Sequence, residues 1–190
     1  MKPMCITNQL PVISMVAILI RLIDATMIAS PGPNQLERET PDAIKMFSGL
    51  PYVVAARDVN RDPFFKCLTA TRTHFDADEP SVTYLWSLNA AQSGEKKNIP
   101  LHFTATDRPD ILNLVVDSDT SHPDFARFPY TDYATCGVME THYFGYQCTL
   151  WVSDETKDSI SQECLRQYAD ICGESVSLYD KEMCANSEQQ

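Results

Sequence analysis

Hydrophobic and polar residues alternate along several short stretches, and clusters of turn-forming residues separate these stretches. Alternation with a period of two is typical of β-strands that turn one face toward a core, and Gly, Pro, Asn and Asp between them indicate turns. The predicted strands are residues 51–57, 66–75, 81–89, 100–106, 111–116, 125–130, 135–143 and 148–153. Eight short strands in series predict an all-β fold, an eight-stranded up-and-down antiparallel barrel, because closure leaves no strand edge unpaired.

Helical patterns flank the predicted strands. Residues 41–47 can form a short helix before the first strand. After the last strand, Ser159 and Gln162 have the spacing of a capping box, and Gly173 is a typical helix stop. Cys164, Tyr168, Ile171 and Cys172 share one flank of this second helix. We therefore expect it to pack against the outside of the barrel, followed by an extended piece at residues 176–179.

The N-terminal region differs from the rest of the chain. Lys2 precedes an apolar run at residues 10–20, which is shorter than the roughly 20 residues that a membrane-spanning helix needs. Such a run is typical of a secretory signal peptide. A buried helix is less favoured, because the apolar residues are continuous rather than arranged in a stripe. We assign residues 1–29 to a signal peptide that is cleaved after Ala25 or Ala29.

The remaining boundaries follow from composition. Residues 30–40 are rich in turn-forming residues and predict a flexible leader. Residues 41–184 hold the barrel and its C-terminal helix, and residues 185–190 form a tail. A chain of 190 residues with a net charge of −11 is one acidic domain. Because nucleic acids are bound through contacts to anionic phosphates, we expect no nucleic-acid partner. We also expect that the protein does not bind a membrane and that it is a monomer.

The cysteines predict an oxidising compartment. Of seven cysteines, Cys5 lies in the predicted signal peptide, which leaves Cys67, Cys136, Cys148, Cys164, Cys172 and Cys184. An even number is typical of a disulfide framework in a secreted protein, here three bridges. No two of them are spaced as Cys-x-x-Cys, and no histidine pair accompanies them, so we expect no metal site. The protein is predicted to be extracellular.

The motifs of common enzymes are missing from the sequence. The four histidines are scattered without a His-Glu-x-x-His pattern. There is no Gly-x-Ser-x-Gly elbow and no phosphate-binding glycine loop. Every cysteine of the mature chain has a potential disulfide partner, so no thiol nucleophile remains. We therefore expect no catalytic residues, no cofactor and no enzymatic activity.

Several segments together carry a family resemblance. They are Tyr52-Val-Val, Asn60-Arg-Asp-Pro-Phe-Phe, Cys136-Gly-Val, Cys148-Thr-Leu-Trp-Val and Cys164-Leu-Arg-Gln-Tyr, with Leu178-Tyr-Asp near the end. Over residues 41–184 the chain resembles the tick salivary lipocalins of the histamine-binding-protein family. The resemblance implies a barrel that holds its ligand inside, secretion in saliva, and capture of host histamine, serotonin or lipid mediators. It also implies the bridges Cys67–Cys184 and Cys136–Cys164, which leaves Cys148–Cys172.

Cysteines that reach an outside helix fix which neighbouring side chains point inward, because side chains alternate across a strand. If Cys67, Cys136 and Cys148 face outward, the inward residues are Leu68, Ala70, Arg72 and His74, then Gly137, Met139 and Thr141, then Thr149, Trp151 and Ser153. Val138, Leu150 and Val152 then lie beneath the helix, as their apolar character suggests.

The resemblance also bears on ligand chemistry. The family's amine-binding pattern has an acid after each of two cysteines, but Gly137 and Thr149 stand at these positions. Inward arginines would instead suit the carboxylate of an anionic lipid such as a leukotriene. The candidate ligand-binding residues are Phe65, Arg72, Trp86, Phe125, Arg127, Met139, Thr149 and Trp151.

Three alternatives stay open at this point. Arg72 and Arg127 can lie near the ends of the barrel with their charges in water. An amine can still be bound through Asp62 or Asp117. The barrel can also serve as a rigid scaffold whose loops inhibit a host protein, such as a complement component. A filled barrel interior would favour this last function.

Overall fold

Eight antiparallel strands close into a barrel in the computed structural model, which describes residues 32–88 and 97–185. The strands are β1 (Tyr52–Asp58), β2 (Thr69–Asp76), β3 (Ser81–Leu88), β4 (Lys97–Ala105), β5 (Ile111–Val116), β6 (Asp124–Thr131), β7 (Cys136–Thr141) and β8 (Gln147–Ser153). Each strand pairs with the next, and β1 pairs with both β2 and β8. The predicted eight-stranded up-and-down barrel is confirmed. Residue 89, the predicted end of the third strand, lies outside the described residues, as do the predicted signal peptide at residues 1–29 and residues 186–190.

Helices α1 (Ala43–Gly49), α2 (Gln162–Cys172) and α3 (Lys181–Ala185) flank the barrel. The N-cap of α2 is Ser161, whose hydroxyl accepts a 3.1 Å hydrogen bond from the amide of Cys164. The predicted capping box at Ser159 is therefore wrong, because the Ser159 amide belongs to the preceding turn, where it donates to Thr156 O. Gly173 ends α2, as predicted, with a φ of 75° that glycine adopts easily. Within the described residues, no helix has the length and apolar character that crossing a membrane requires.

Two apolar layers stabilise the fold, one inside the barrel and one between α2 and the outer wall. Val138, Leu150 and Val152 pack in the outer layer against Tyr168 and Ile171 of α2. Both faces of β7 and β8 are therefore buried. This explains why each strand contains a continuous apolar run, Cys136–Met139 in β7 and Leu150–Val152 in β8, instead of strict alternation.

Three disulfides attach the helices to the barrel. Cys136–Cys164 joins β7 to α2, and Cys148–Cys172 joins β8 to α2. Cys67–Cys184 joins the turn between β1 and β2 to α3. This is the pairing that the family resemblance implies. Because Cys136 and Cys148 face the helix, their neighbours Gly137, Met139 and Trp151 turn into the barrel.

A bulge changes the orientation of side chains along β1. The register with β8 shifts between Ala55, which faces Trp151, and Arg57, which faces Leu150. Because of the extra residue, Ala56 and Arg57 both lie on the outer side, and Asp58 turns inward opposite Thr149. The two-residue β9 (Val176–Ser177) pairs with this end of β1 and lies within the extended piece predicted at 176–179.

The segment before α1 is attached to α2. Residues 30–40 are predicted to be a flexible leader, but the buried carboxylate of Asp170 accepts hydrogen bonds from the amides of Gln35 (2.9 Å) and Leu36 (3.0 Å) and from the guanidinium of Arg38. Burial raises the pKa of Asp170, but these hydrogen bonds outweigh it, so the pKa lies below its ordinary value. The described part of the leader is therefore an ordered strap.

Replacing Asp170 should release this strap. We expect Asp170→Asn to lower the melting temperature by a few degrees at pH 7 in thermal unfolding, because one acceptor becomes an amide and the ion pair with Arg38 is lost. The depressed pKa means that the carboxylate stabilises the fold above its unfolded-state pKa, and that this stabilisation is lost as the pH falls through the folded-state pKa. Glu174→Gln, at an exposed position just after α2, is the control. Equal melting temperatures for wild type and Asp170→Asn at pH 7 would contradict this role.

Candidate functional site

The barrel encloses a cavity beside α1. Its wall consists of apolar and aromatic residues, among them Met46, Tyr84, Trp86, Met139 and Trp151, and no charged side chain of the described residues lines it. The space between the atoms is about 410 Å³, including the part that opens to solvent, and the region that admits the centre of a water molecule is about 40 Å³. The interior is therefore nearly filled, with room for a few water molecules.

Helix α1 closes one end of this cavity and is attached to the barrel at both of its own ends. At its start, the amide of Asp42 donates a 3.0 Å hydrogen bond to the hydroxyl of Tyr133. Just after its end, the hydroxyl of Tyr84 donates to Leu50 O. Between these points the ring of Phe47 packs against Tyr84, with 5.2 Å between ring centroids. The helix is thus both a part of the cavity wall and a plug.

Arg72 holds the plug instead of facing the cavity. Its guanidinium donates to the carbonyls of Phe47 and Ser48 at the end of α1 and lies over the ring of Phe75. The last carbonyls of a helix carry partial negative charge, so a cation is favoured there. Arg72 therefore lies at the end of the barrel, where its positive charge stabilises the C-terminal carbonyls of α1. Alternation along β2 predicts that His74 faces inward, but it is exposed, because the register of β2 with β3 shifts between Arg72 and His74.

Phe125 and Arg127, two of the candidate ligand-binding residues, do not face the interior. On β6 the inward residues are Ala126 and Phe128, which are 0% and 2% exposed, whereas Phe125 is 58% exposed. Arg127 forms a 2.8 Å ion pair with Glu140 on the outer surface. Since side chains alternate along a strand, choosing the wrong parity exchanges every inward residue for an outward one.

Three other predicted residues do line the cavity: Trp86, Met139 and Trp151. The ring centroids of Trp86 and Trp151 lie 5.4 Å apart. The ring centroid of Trp86 is 6.0 Å from that of Tyr143. Phe65 is also buried in the inner core, but it is not part of the cavity wall; its ring packs against Phe64 and against Phe144 of the β7–β8 turn. The structure thus brings both tryptophans of the chain together.

Met46 occupies the space beside Gly137. A Cβ atom added to Gly137 would lie 2.8 Å from the Met46 sulfur, which is closer than real Cβ contacts allow. Gly137 stands where the family pattern has an aspartate. An acid at this position would therefore require the Met46 side chain to shift.

A buried acid that sequence reasoning missed lies on β1, opposite Thr149 of β8. Asp58 is 1% exposed and accepts hydrogen bonds from the hydroxyl of Thr149 and from the amide of Asn60 at 2.6 Å. Burial raises the pKa of Asp58 to about 6 from 3.8, although these hydrogen bonds act in the opposite direction. Simple alternation from Val53 places Asp58 outside, and only the bulge turns it inward. No signal in the sequence marks that bulge.

The two acids considered for an amine ligand do not face the lumen. Asp62 is exposed and accepts a 2.9 Å hydrogen bond from the amide of Phe64, in the turn after β1. Asp117 is exposed in a turn, with a φ of 50°.

One group of potential metal ligands occurs among the described residues, formed by Asp132, Cys136 and Cys164. The two cysteines are bonded to each other, so they offer no thiolate. This group therefore does not make a metal centre.

Comparison with known proteins bears on the identity of this barrel. The family model described as "Tick histamine binding protein" matches residues 34–186. No curated protein sequence matches the chain significantly.

Solved structures share the fold. The crystal structure of the AM182 serotonin complex has a TM-score of 0.59 and 16% identity, covering 77% of this chain and 95% of that chain. Japanin from Rhipicephalus appendiculatus bound to cholesterol has a TM-score of 0.53 and 11% identity, covering 70% and 94%. The cockroach allergen Per a 4 has a TM-score of 0.55 and 9% identity, covering 79% and 97%. At these identities the similarity shows the fold alone.

The raised pKa of Asp58 predicts a pH dependence of stability. A carboxyl whose folded-state pKa exceeds its unfolded-state pKa binds more protons in the folded state than in the unfolded state. The stability that Asp58 contributes is therefore present at low pH and is lost as the pH rises through about 6. One pKa unit corresponds to about 1.4 kcal/mol. Between pH 4 and pH 7 we therefore expect wild type to lose about 2 kcal/mol of unfolding free energy relative to Asp58→Asn.

Urea unfolding of both proteins at several pH values measures this difference, and Asp62→Asn at an exposed site is the matched control. Parallel pH profiles for wild type and Asp58→Asn would show that Asp58 does not titrate in this range.

Proposed function

This chain belongs to the tick histamine binding protein family, and we propose that it is a secreted salivary lipocalin that captures a small mediator of host inflammation inside its barrel. The observation that carries the proposal is the closed barrel whose inner wall is apolar and aromatic and contains both tryptophans. Enclosure in such a wall favours tight binding because it removes the ligand's apolar surface from water. The proposal is for binding rather than catalysis.

The chemistry of the wall favours a largely apolar ligand over a biogenic amine. An ammonium group that leaves water needs a carboxylate beside it. Gly137 and Thr149 supply none, and Met46 fills the space beside Gly137. The buried Asp58 already accepts hydrogen bonds from Thr149 and from backbone amides, so its lone pairs are largely used.

The positions of the arginines weaken the case for a carboxylate as the anchoring group. Arg72 binds the end of α1, and Arg127 pairs with Glu140 outside the barrel. A lipid mediator would therefore be held mainly by its apolar body. At about 25 cal/mol per Å² of apolar surface, burial of a lipid-sized body supplies several kcal/mol without any ion pair.

Ligand entry requires a rearrangement of the interior. Ligand pockets usually measure about 300–1,000 Å³. The region of this cavity that admits the centre of a water molecule is only about 40 Å³. Met46 and Phe47 form the part of the cavity wall that α1 contributes. We propose that displacement of α1 opens the binding site.

Binding can be tested by native mass spectrometry of the secreted protein after incubation with cholesterol, leukotriene B4 or serotonin. These represent a neutral sterol, an anionic lipid and an amine. We expect an adduct with a lipid and none with serotonin. A serotonin adduct that Asp58→Asn abolishes would contradict the preference for an apolar ligand.

A variant that fills the cavity should block binding. Ala70 lines the cavity, and its neighbour Thr71 is exposed on the other face of β2. We expect Ala70→Leu to weaken lipid binding at least about 10-fold, because the added carbons occupy ligand space, at a stability cost of about 1–3 kcal/mol. Thr71→Leu should bind as wild type does. Equal affinities for the two variants in a fluorescence titration would place the ligand elsewhere.

A second function is supported by the small size of the cavity. A nearly filled barrel suits a scaffold that inhibits a host protein through its surface, such as a complement component. Assays of complement-dependent lysis would separate the two functions. Inhibition that Ala70→Leu leaves unchanged would favour the surface, whereas inhibition lost together with lipid binding would favour the cavity.

A further inference from the structure

Helix α1 is the part of the cavity wall that does not belong to the barrel. Met46 and Phe47 of α1 line the cavity, as does Leu50 just after the helix, and the remaining lining residues lie on barrel strands. Each strand is hydrogen-bonded to both of its neighbours in the closed sheet. Displacement of α1 therefore enlarges the cavity without breaking the sheet, whereas displacement of any other part of the wall does not.

Arg72 ties the end of α1 to β2. Its guanidinium donates to the carbonyls of Phe47 and Ser48, and its own amide donates a 2.8 Å hydrogen bond to Pro51 O, just after the helix. The last carbonyls of a helix have no partners within it, so they attract a cation. Arg72 does not itself line the cavity, so it would act on a ligand there through α1.

Gly49 allows the end of α1 to lie close to the barrel. A Cβ atom added to Gly49 would collide with the carbonyl oxygen of Tyr133. That oxygen is part of the backbone between β6 and β7, so it cannot turn aside as the end of a side chain can. Any larger residue at this position would hold the end of α1 away from the barrel.

We propose that Arg72 and the close approach at Gly49 keep α1 in place over the cavity, and that an apolar ligand binds only the form in which α1 is displaced. The apparent affinity of such a ligand is reduced in proportion to the fraction of molecules that are open. Contacts that stabilise the closed form therefore weaken binding. This inference rests on the proposed function and specifies what regulates access to its site.

Replacing Arg72 should make the protein less stable and a tighter binder at the same time. The probe is N-phenyl-1-naphthylamine, a neutral apolar molecule whose fluorescence rises in apolar surroundings. We expect Arg72→Gln to bind it about 10-fold more tightly than wild type, because the closed form loses hydrogen bonds from a cation. Thermal unfolding of the unliganded variant should occur at a lower temperature. Arg61→Gln makes the same chemical change at an exposed position after β1 and should alter neither quantity.

Gly49→Ala tests the same equilibrium without changing a charge. Alanine favours helix more than glycine does, so an effect on the helix alone would stabilise the closed form and weaken binding. We expect tighter binding of the probe instead, because the added carbon meets the Tyr133 carbonyl. Adding Ala70→Leu to either variant should weaken binding again, since Ala70 lines the cavity.

Hydrogen exchange on the wild-type protein needs no variant, so misfolding of Arg72→Gln does not prevent the test. We expect the amides of α1 to exchange faster when the probe is bound than when it is absent, because the bound protein has α1 displaced. Slower exchange would show that α1 stays in place over the ligand, and would overturn the proposal.

The sign of the change in affinity separates this role from a purely structural one. An arginine that only stabilises the fold lowers the melting temperature without raising the affinity, so unchanged or weaker binding by Arg72→Gln would also overturn the proposal. If the probe binds neither wild type nor Arg72→Gln while cholesterol or leukotriene B4 forms an adduct, this inference fails and the proposed function stands. Absence of all binding removes both.

Discussion

The attachment of α2 to β7 and β8 by two disulfides is the constraint on which the inner surface depends. Cys136 and Cys148 must face the helix, and side chains alternate across a strand, so the residues next to these cysteines face the lumen. A shift of either strand by one residue would break a bridge and also expose the apolar layer beneath α2. The covalent bonds and the outer apolar layer thus specify the same register.

This constraint explains which parts of the site could be predicted from the sequence. Met139 and Trp151 lie on strands with a cysteine, so their inward orientation followed from the bridges. β6 carries no cysteine, so nothing in the sequence decided which of its side chains face inward, and the candidates Phe125 and Arg127 face outward. The eight strands themselves were predictable because turn-forming residues separate them.

Three further features could not be predicted, for different physical reasons. The bulge in β1 moves Asp58 inward, and its position is set by the pairing with β8 rather than by any local residue type. The partner of Arg72 is the end of α1, a contact between segments that lie far apart in sequence. Ser161 and Ser159 are equally suitable caps by residue type, and the turn through Thr156 decides between them. In each case tertiary packing selects among options that the sequence leaves open.

The bridge between Cys67 and Cys184 spans a separation of 117 residues, so it encloses most of the barrel. A protease that cuts the chain once at any loop inside this span would produce two fragments that stay covalently joined. The antiparallel pairing of the strands would hold the nicked molecule together in its native shape. A single cleavage would therefore leave the barrel in one piece.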